Sequence, residues 1–333
     1  MLASFPEPRP TTNPYIVLLR DTLSASPELT LRLFSWRAAL LGHYDVFHLH
    51  WPEILVTGKT TVGMAGRQLL TVMLLLRLRL TRRPLVRTLH NVEVREGINS
   101  TGRLIFALIR RWTSLEISLN ESMPPPEGVP SQIILHGHYR QWYASCPKPA
   151  ARPGQLSYFG LIRPYKGVER LLQAFGELDG SYRLHVAGLP NPDLVAPLTA
   201  LAAMDDRVQL TLGYVGDCEL VQVACRAEVV VLPYRQMHNS GGALAALSLD
   251  RPVLVPQNEV NNRLAEEVGP GWVHTYSGEL TAQHLRETLD RVRASERSAR
   301  PDLSRREWRL AAPQHVAAYR RAQQLLRTGR SWR

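Results

Sequence analysis

The chain has 333 residues, 44% of them hydrophobic, and 40 basic against 29 acidic residues leave a formal charge of +11. That length and apolar content exclude a disordered chain and allow two domains with cores of their own. The charge suits a polyanionic partner, whether nucleic acid, an anionic membrane face or a phosphate-bearing substrate, without choosing among them. Three scattered cysteines, Cys146, Cys218 and Cys225, form neither a CxxC pair nor a dense secreted framework, so a reducing cytoplasm is expected. The segment Met1–Asn13 carries Glu7, Arg9 and three prolines where a signal peptide would be apolar.

In chain order, short β-rich runs are expected at Tyr15–Leu19, Asp45–His50, Leu85–His90, Leu115–Leu119 and Gln132–Leu135, separated by helical stretches. The most apolar stretch, Leu69–Leu80, is too short for a span of about 20 residues and is interrupted by Arg77 and Arg79. It reads as a buried helix or as an interfacial one with arginines at headgroup level. A segment rich in proline, Gln141–Gly154, then reads as a linker. Strands resume at Leu156–Phe159, Arg183–Ala187, Val208–Leu212, Val229–Leu232 and Val253–Val255, with helices at Val168–Leu178 and Gly242–Leu249. After Arg291 the chain becomes helical and basic, with Trp308, Val316 and Tyr319 as docking residues of a terminal helix.

The alternation predicts α/β architecture: two Rossmann-like doubly wound domains facing a cleft, residues 1–145 and 146–302, followed by a basic helical tail at 303–333. Ligands of such sheets bind beyond the carboxyl ends of the strands, so residues just after strands are the candidates. In YFGLIRPYKG, a turn with Gly160 leads to Arg163 and Lys166 at the start of a helix opened by Gly167, a pattern that attracts phosphate. A solvated turn would carry the same cations. In LPYRQMHNSGGALAALSLDRPVLV, Ser240, Gly241 and Gly242 expose backbone amides at a second helix start, and Ser240 serves as cap or phosphate ligand. Asn258 follows the next strand, where a base or sugar hydroxyl would be held.

From Tyr158 to about Val255 the chain resembles the nucleotide-sugar-binding domain of GT-B glycosyltransferases of the family 4 kind, through FGLIRPYKG, LHVAG, LPY and DRPVLVP. The resemblance places Lys166 on the family's phosphate-binding lysine and adds Tyr234 to the donor-binding set. The family's arginine after the glycine is replaced by Leu161, with Arg163 as a substitute. Its two glutamates, eight positions apart, correspond to Met237 and Ala245 here, so the retaining mechanism does not transfer. The HWPE segment with RPYKG and SGGALAALSL is similar to bacterial exopolysaccharide β-mannosyltransferases, which use GDP-mannose and a lipid-linked glucuronic-acid acceptor.

Within that frame DVFHLHWPE sets His50 and Trp51 as acceptor-binding residues and Glu53 as the base that deprotonates the attacking hydroxyl. A buried aromatic corner around a hydrogen-bonded His50 is the alternative reading. His90 matches the family's histidine near the reacting carbon, against an ordinary loop histidine; Glu93 and Glu96 stand next in line as the base. His138, in HGHY, is expected to line the acceptor region. No metal or other cofactor is expected, because cations and amides hold the diphosphate in this family.

The expected activity is thus metal-independent, inverting hexosyl transfer, with mannose from GDP-mannose passed to a lipid-linked or polysaccharide acceptor. The expected location is cytoplasmic, peripheral at an anionic inner membrane face. A retaining family 4-like enzyme using a UDP-sugar is the alternative. A basic nucleic-acid or membrane-surface binding protein is the reading from a different class; no nucleic-acid partner is expected, since the basic residues form no aromatic-interleaved surface. No GxGxxG follows a predicted strand, against a nicotinamide enzyme.

Overall fold

The computed structural model describes residues 1–90, 98–122, 128–235, 237, 239 and 241–329. Contacts divide the chain into two compact units, residues 1–137 with 306–333, and residues 138–305. This division falls before the linker segment, and the basic tail belongs to the first unit.

The first unit holds five parallel strands in sequential order: β1 (Leu2–Ala3), β2 (Phe47–Leu49), β3 (Leu85–Leu89), β4 (Thr113–Ser118) and β5 (Ser131–Ile133). Alternation along β2 and β3 sends Phe47, Leu49 and Leu85 into a core with Leu74 and Leu78 of the helix Thr61–Leu80 and Ile105 and Ile109 of the helix Ser100–Trp112. His48 and Thr88 point to the opposite face, where the helices Pro14–Ser24 and Trp308–Arg327 pack. The expected strand at Tyr15–Leu19 is part of the first of these helices. Asn13 caps it by accepting from the Tyr15 amide, Pro14 starts it, and Tyr15, Ile16, Leu19 and Leu23 fall on one helical face. Trp308, Val316 and Tyr319 are all buried in the terminal helix.

The second unit holds six parallel strands, β6 (Gln155–Phe159), β7 (Arg183–Gly188), β8 (Val208–Leu212), β9 (Val229–Val231), β10 (Val253–Pro256) and β11 (Val273–Tyr276), in the order β11-β10-β9-β6-β7-β8. Strand order reverses between β6 and β9, and the switch point of a doubly wound sheet is where ligands bind. β1 and β11 had no counterpart among the expected strands. Cys146 and Cys218, scattered in sequence, form a disulfide within this unit, and Cys225 is free and buried.

Candidate active site

At the switch point, β6 runs into Gly160 and β9 into Leu232, so the two glycine turns singled out from sequence flank it. Gly167 adopts a left-handed conformation with φ of 64°, and a Cβ there would lie 2.2 Å from the Pro233 carbonyl oxygen. Only glycine lets the two turns approach this closely. A Cβ on Gly188 would likewise lie 1.8 Å from the Gly160 oxygen, which explains the glycine ending LHVAG. Lys166, half-buried, donates to the Tyr234 hydroxyl at 2.7 Å, and its ammonium sits 3.9 Å from that ring's centre. Burial lowers its pKa to about 8, because the charged form loses hydration.

Gly241 and Gly242 begin the helix Gly241–Ser248, whose first amides have no partner within the helix. Ser240, assigned to the same cradle, lies outside the described residues, as do Glu93 and Glu96. Arg163 donates to the carbonyls of Ile162 at 2.8 Å and Leu189 at 3.1 Å, so its guanidinium braces the β6 and β7 ends. Asn258 accepts from the Asn261 amide at 2.8 Å and donates to the Met237 carbonyl at 3.0 Å. Its side chain caps a helix and pins the preceding turn. Asn261, buried, adds a contact to the Met237 sulfur at 3.4 Å. Met237 and Ala245 are both buried, so these two positions offer no carboxylate.

In the first unit, the carboxyl ends of β2 and β3 gather imidazoles. His50 Nδ1 and His90 Nε2 share a hydrogen bond of 3.1 Å, and Trp51 stacks on His90 with ring centres 3.9 Å apart. Tyr15 meets the edge of His90 at 5.3 Å and tilts against His136 at 4.6 Å. His48 shares hydrogen bonds of 2.8 Å with Tyr319 and with Thr88. Burial, reinforced by neighbouring imidazoles, drives His48, His50 and His90 well below the ordinary histidine pKa, and burial takes His136 and His315 to about 4. All five are neutral at pH 7.

His50 Nε2 is buried without a hydrogen-bond partner among the described residues. An orphaned lone pair costs less than an orphaned N–H, which favours the tautomer in which His50 Nδ1 donates to His90 Nε2. That arrangement places the His90 proton on Nδ1.

Glu53 opens the short helix Glu53–Val56, and its Oε2 is buried without a partner among the described residues. Its charge acts on Arg87, which lies on β3 and pairs at 3.7 Å with the fully buried Glu116 of β4. Burial raises the Glu116 pKa and lowers that of Arg87. His138 is buried in the second unit, and its Nδ1 accepts from the Arg140 amide at 3.3 Å.

Sequence reasoning brought out His50, Trp51 and His90 and missed their supports: Tyr15, His48, Arg87, Glu116, His315 and Tyr319. The shared parity of His48 with His50 and of Thr88 with His90 was the available signal. Among the described residues no group of three or more His, Cys, Asp or Glu is arranged to hold a metal.

Two parallel Rossmann-like units, with a cation and bare glycine amides at one switch point and an aromatic-imidazole cluster at the strand ends of the other, define a glycosyltransferase of the GT-B fold. The chain belongs to the glycosyltransferase group 1 family and is a sugar-transferring enzyme. Residues 153–290 match the family model described as Glycosyl transferases group 1. The chain is 43% identical over 323 residues, 96% of its own length and 91% of the other's, to a GDP-mannose:glycolipid 4-beta-D-mannosyltransferase of Xanthomonas campestris pv. campestris. Its fold is similar to that of Anabaena HepE in complex with UDP-glucose, with a TM-score of 0.61, 15% identity and 99% of each chain covered. It is also similar to WaaG, a glycosyltransferase involved in lipopolysaccharide biosynthesis, with a TM-score of 0.55, 16% identity and 98% and 95% covered.

Proposed function

We propose that the enzyme transfers mannose from GDP-mannose to a sugar of a lipid-linked acceptor, without a metal ion and with inversion at the anomeric carbon. The observation that carries this reading is the 43% identity, over nearly the full length of both chains, to a protein named for that donor and a glycolipid acceptor. The mannose of GDP-mannose is α-linked and that relative's name specifies a β product, so a single displacement accounts for the stereochemistry.

In that displacement the acceptor oxygen attacks the anomeric carbon and its proton passes to Glu53. The bond from that carbon to the diphosphate oxygen breaks, and the electron pair leaves with GDP. Trp51 and His50 receive the acceptor, and the His90 Nδ1–H donates to an oxygen of the sugar being transferred. Lys166, released from Tyr234, and the amides at Gly241 and Gly242 stabilise the charge developing on the leaving diphosphate. Met237 and Ala245 support inversion, because neither offers a carboxylate for a retaining step.

The test is to incubate the purified enzyme, in chelator, with radiolabelled GDP-mannose or UDP-glucose and a lipid-linked oligosaccharide ending in glucuronic acid. A β-mannosyl product resolved by NMR is the expected outcome. Transfer only from the UDP-sugar, or an α-linked product, overturns the reading, and recovery of activity only on adding magnesium overturns its metal-free part.

A further inference from the structure

The helix Thr61–Leu80 buries one face and leaves the other bare. Gln68, Thr71, Leu74, Leu75 and Leu78 are buried, and Thr71 and Gln68 are tied by hydrogen bonds to the carbonyls of Leu55 and Val56. Val62, Leu69, Met73, Leu76 and Leu80 recur every third, fourth or seventh position on the opposite face. They are exposed by 81, 62, 47, 47 and 83%. At about 1.5 Å per residue this stripe runs roughly 27 Å. Scattered exposed leucines need no explanation, but a continuous stripe on one helix marks an interaction surface.

Its charge says what it meets. The helix carries no acidic residue; Arg77 and Arg79 flank the stripe toward its carboxyl end and Arg82 and Arg83 follow it. The neighbouring helix Ser100–Trp112 adds exposed Arg103, Arg110 and Arg111 beside Leu104, which is 63% exposed, again without an acid. By length and composition Thr61–Leu80 passes for a membrane span, yet its other face is built into the core of the first sheet. It therefore has an apolar side to offer to a surface and a polar anchorage that keeps it from crossing. A second copy of the chain fits poorly, since symmetric pairing would set arginines against arginines with no acid to answer them.

We infer that this face docks on an anionic lipid bilayer, the helix lying in the interface with Leu69, Met73 and Leu76 at the acyl boundary and the arginines among the headgroups. The inference stands apart from the donor and acceptor assignment. It is tested by flotation of the full-length protein with vesicles of phosphatidylcholine alone or mixed with phosphatidylglycerol, at low and high salt. Flotation with the anionic vesicles is expected, weakened by salt and by at least about tenfold in the triple variant Leu69→Asp, Met73→Asp, Leu76→Asp.

The thermal shift given by GDP reports folding and donor binding separately, and the triple variant is expected to keep it. If that variant does not fold, Arg79→Gln with Arg82→Gln takes its place and is expected to lose the preference for anionic vesicles. Equal flotation of wild type and variant, absence of flotation, or a stripe-dependent dimer in sedimentation velocity without flotation each overturns the inference.

Discussion

The strand ends of the two units solve opposite problems. In the second unit, glycine turns bare the backbone and a half-buried lysine supplies charge, so the surface there answers a diphosphate. In the first, five imidazoles are held uncharged among tyrosines and tryptophans, with one carboxylate, Glu53, near Arg87. A charged ligand is met by charge and amides, whereas a neutral sugar hydroxyl is met by neutral hydrogen-bonding rings and one base. The folds are alike, and the chemistry at the strand ends divides the labour.

Four experiments test that division. Glu53→Gln is expected to lower kcat by roughly 10²–10⁴-fold while GDP affinity is kept, as measured by steady-state kinetics and calorimetry. Unchanged turnover would take the base away from Glu53. Gly167→Ala forces a Cβ against the Pro233 oxygen in a left-handed conformation; urea melts should show a loss of roughly 3 kcal/mol, and GDP binding should weaken as Lys166 is displaced. Lys166→Ala is expected to weaken GDP binding by about 10–50-fold with little effect on folding. An equal loss of kcat with unchanged GDP affinity would contradict its place on the leaving group.

The smallest effect per step concerns pH. His136 and His315 have folded-state pKa values of about 4, below the unfolded value of about 6.5. Between these values the unfolded chain binds more protons, so stability falls as pH drops from about 6.5 toward 4, by up to about 1.4 kcal/mol per pH unit for each ring. Urea melts from pH 7 to 4.5 should show this slope, reduced by one proton in His315→Leu.

The second unit's site was legible because its signals are local. Gly160, Lys166 and Gly167 lie within eight residues of one another, and each glycine answers a backbone requirement that a single turn imposes. The first unit's site was legible only at HWPE and at His90, because its supports come from afar: His48 meets Tyr319 across 271 positions, and Arg87 meets Glu116 across two strands. The run at Tyr15–Leu19 is too short for its period to tell strand from helix, and Asn13-Pro14 was the deciding signal. Asn258 shows the opposite failure. A polar residue after a strand looks like a ligand, but here its side chain is engaged by its own helix and by Met237.

The helix Trp308–Arg327 covers the sheet face that carries His48, and it is among the last segments a ribosome would make. The first strands to emerge therefore wait through the synthesis of the whole second unit with that face uncovered. The amino-terminal half starts first and is finished last, and truncation of the final thirty or so residues would open the imidazole cluster rather than trim a tail.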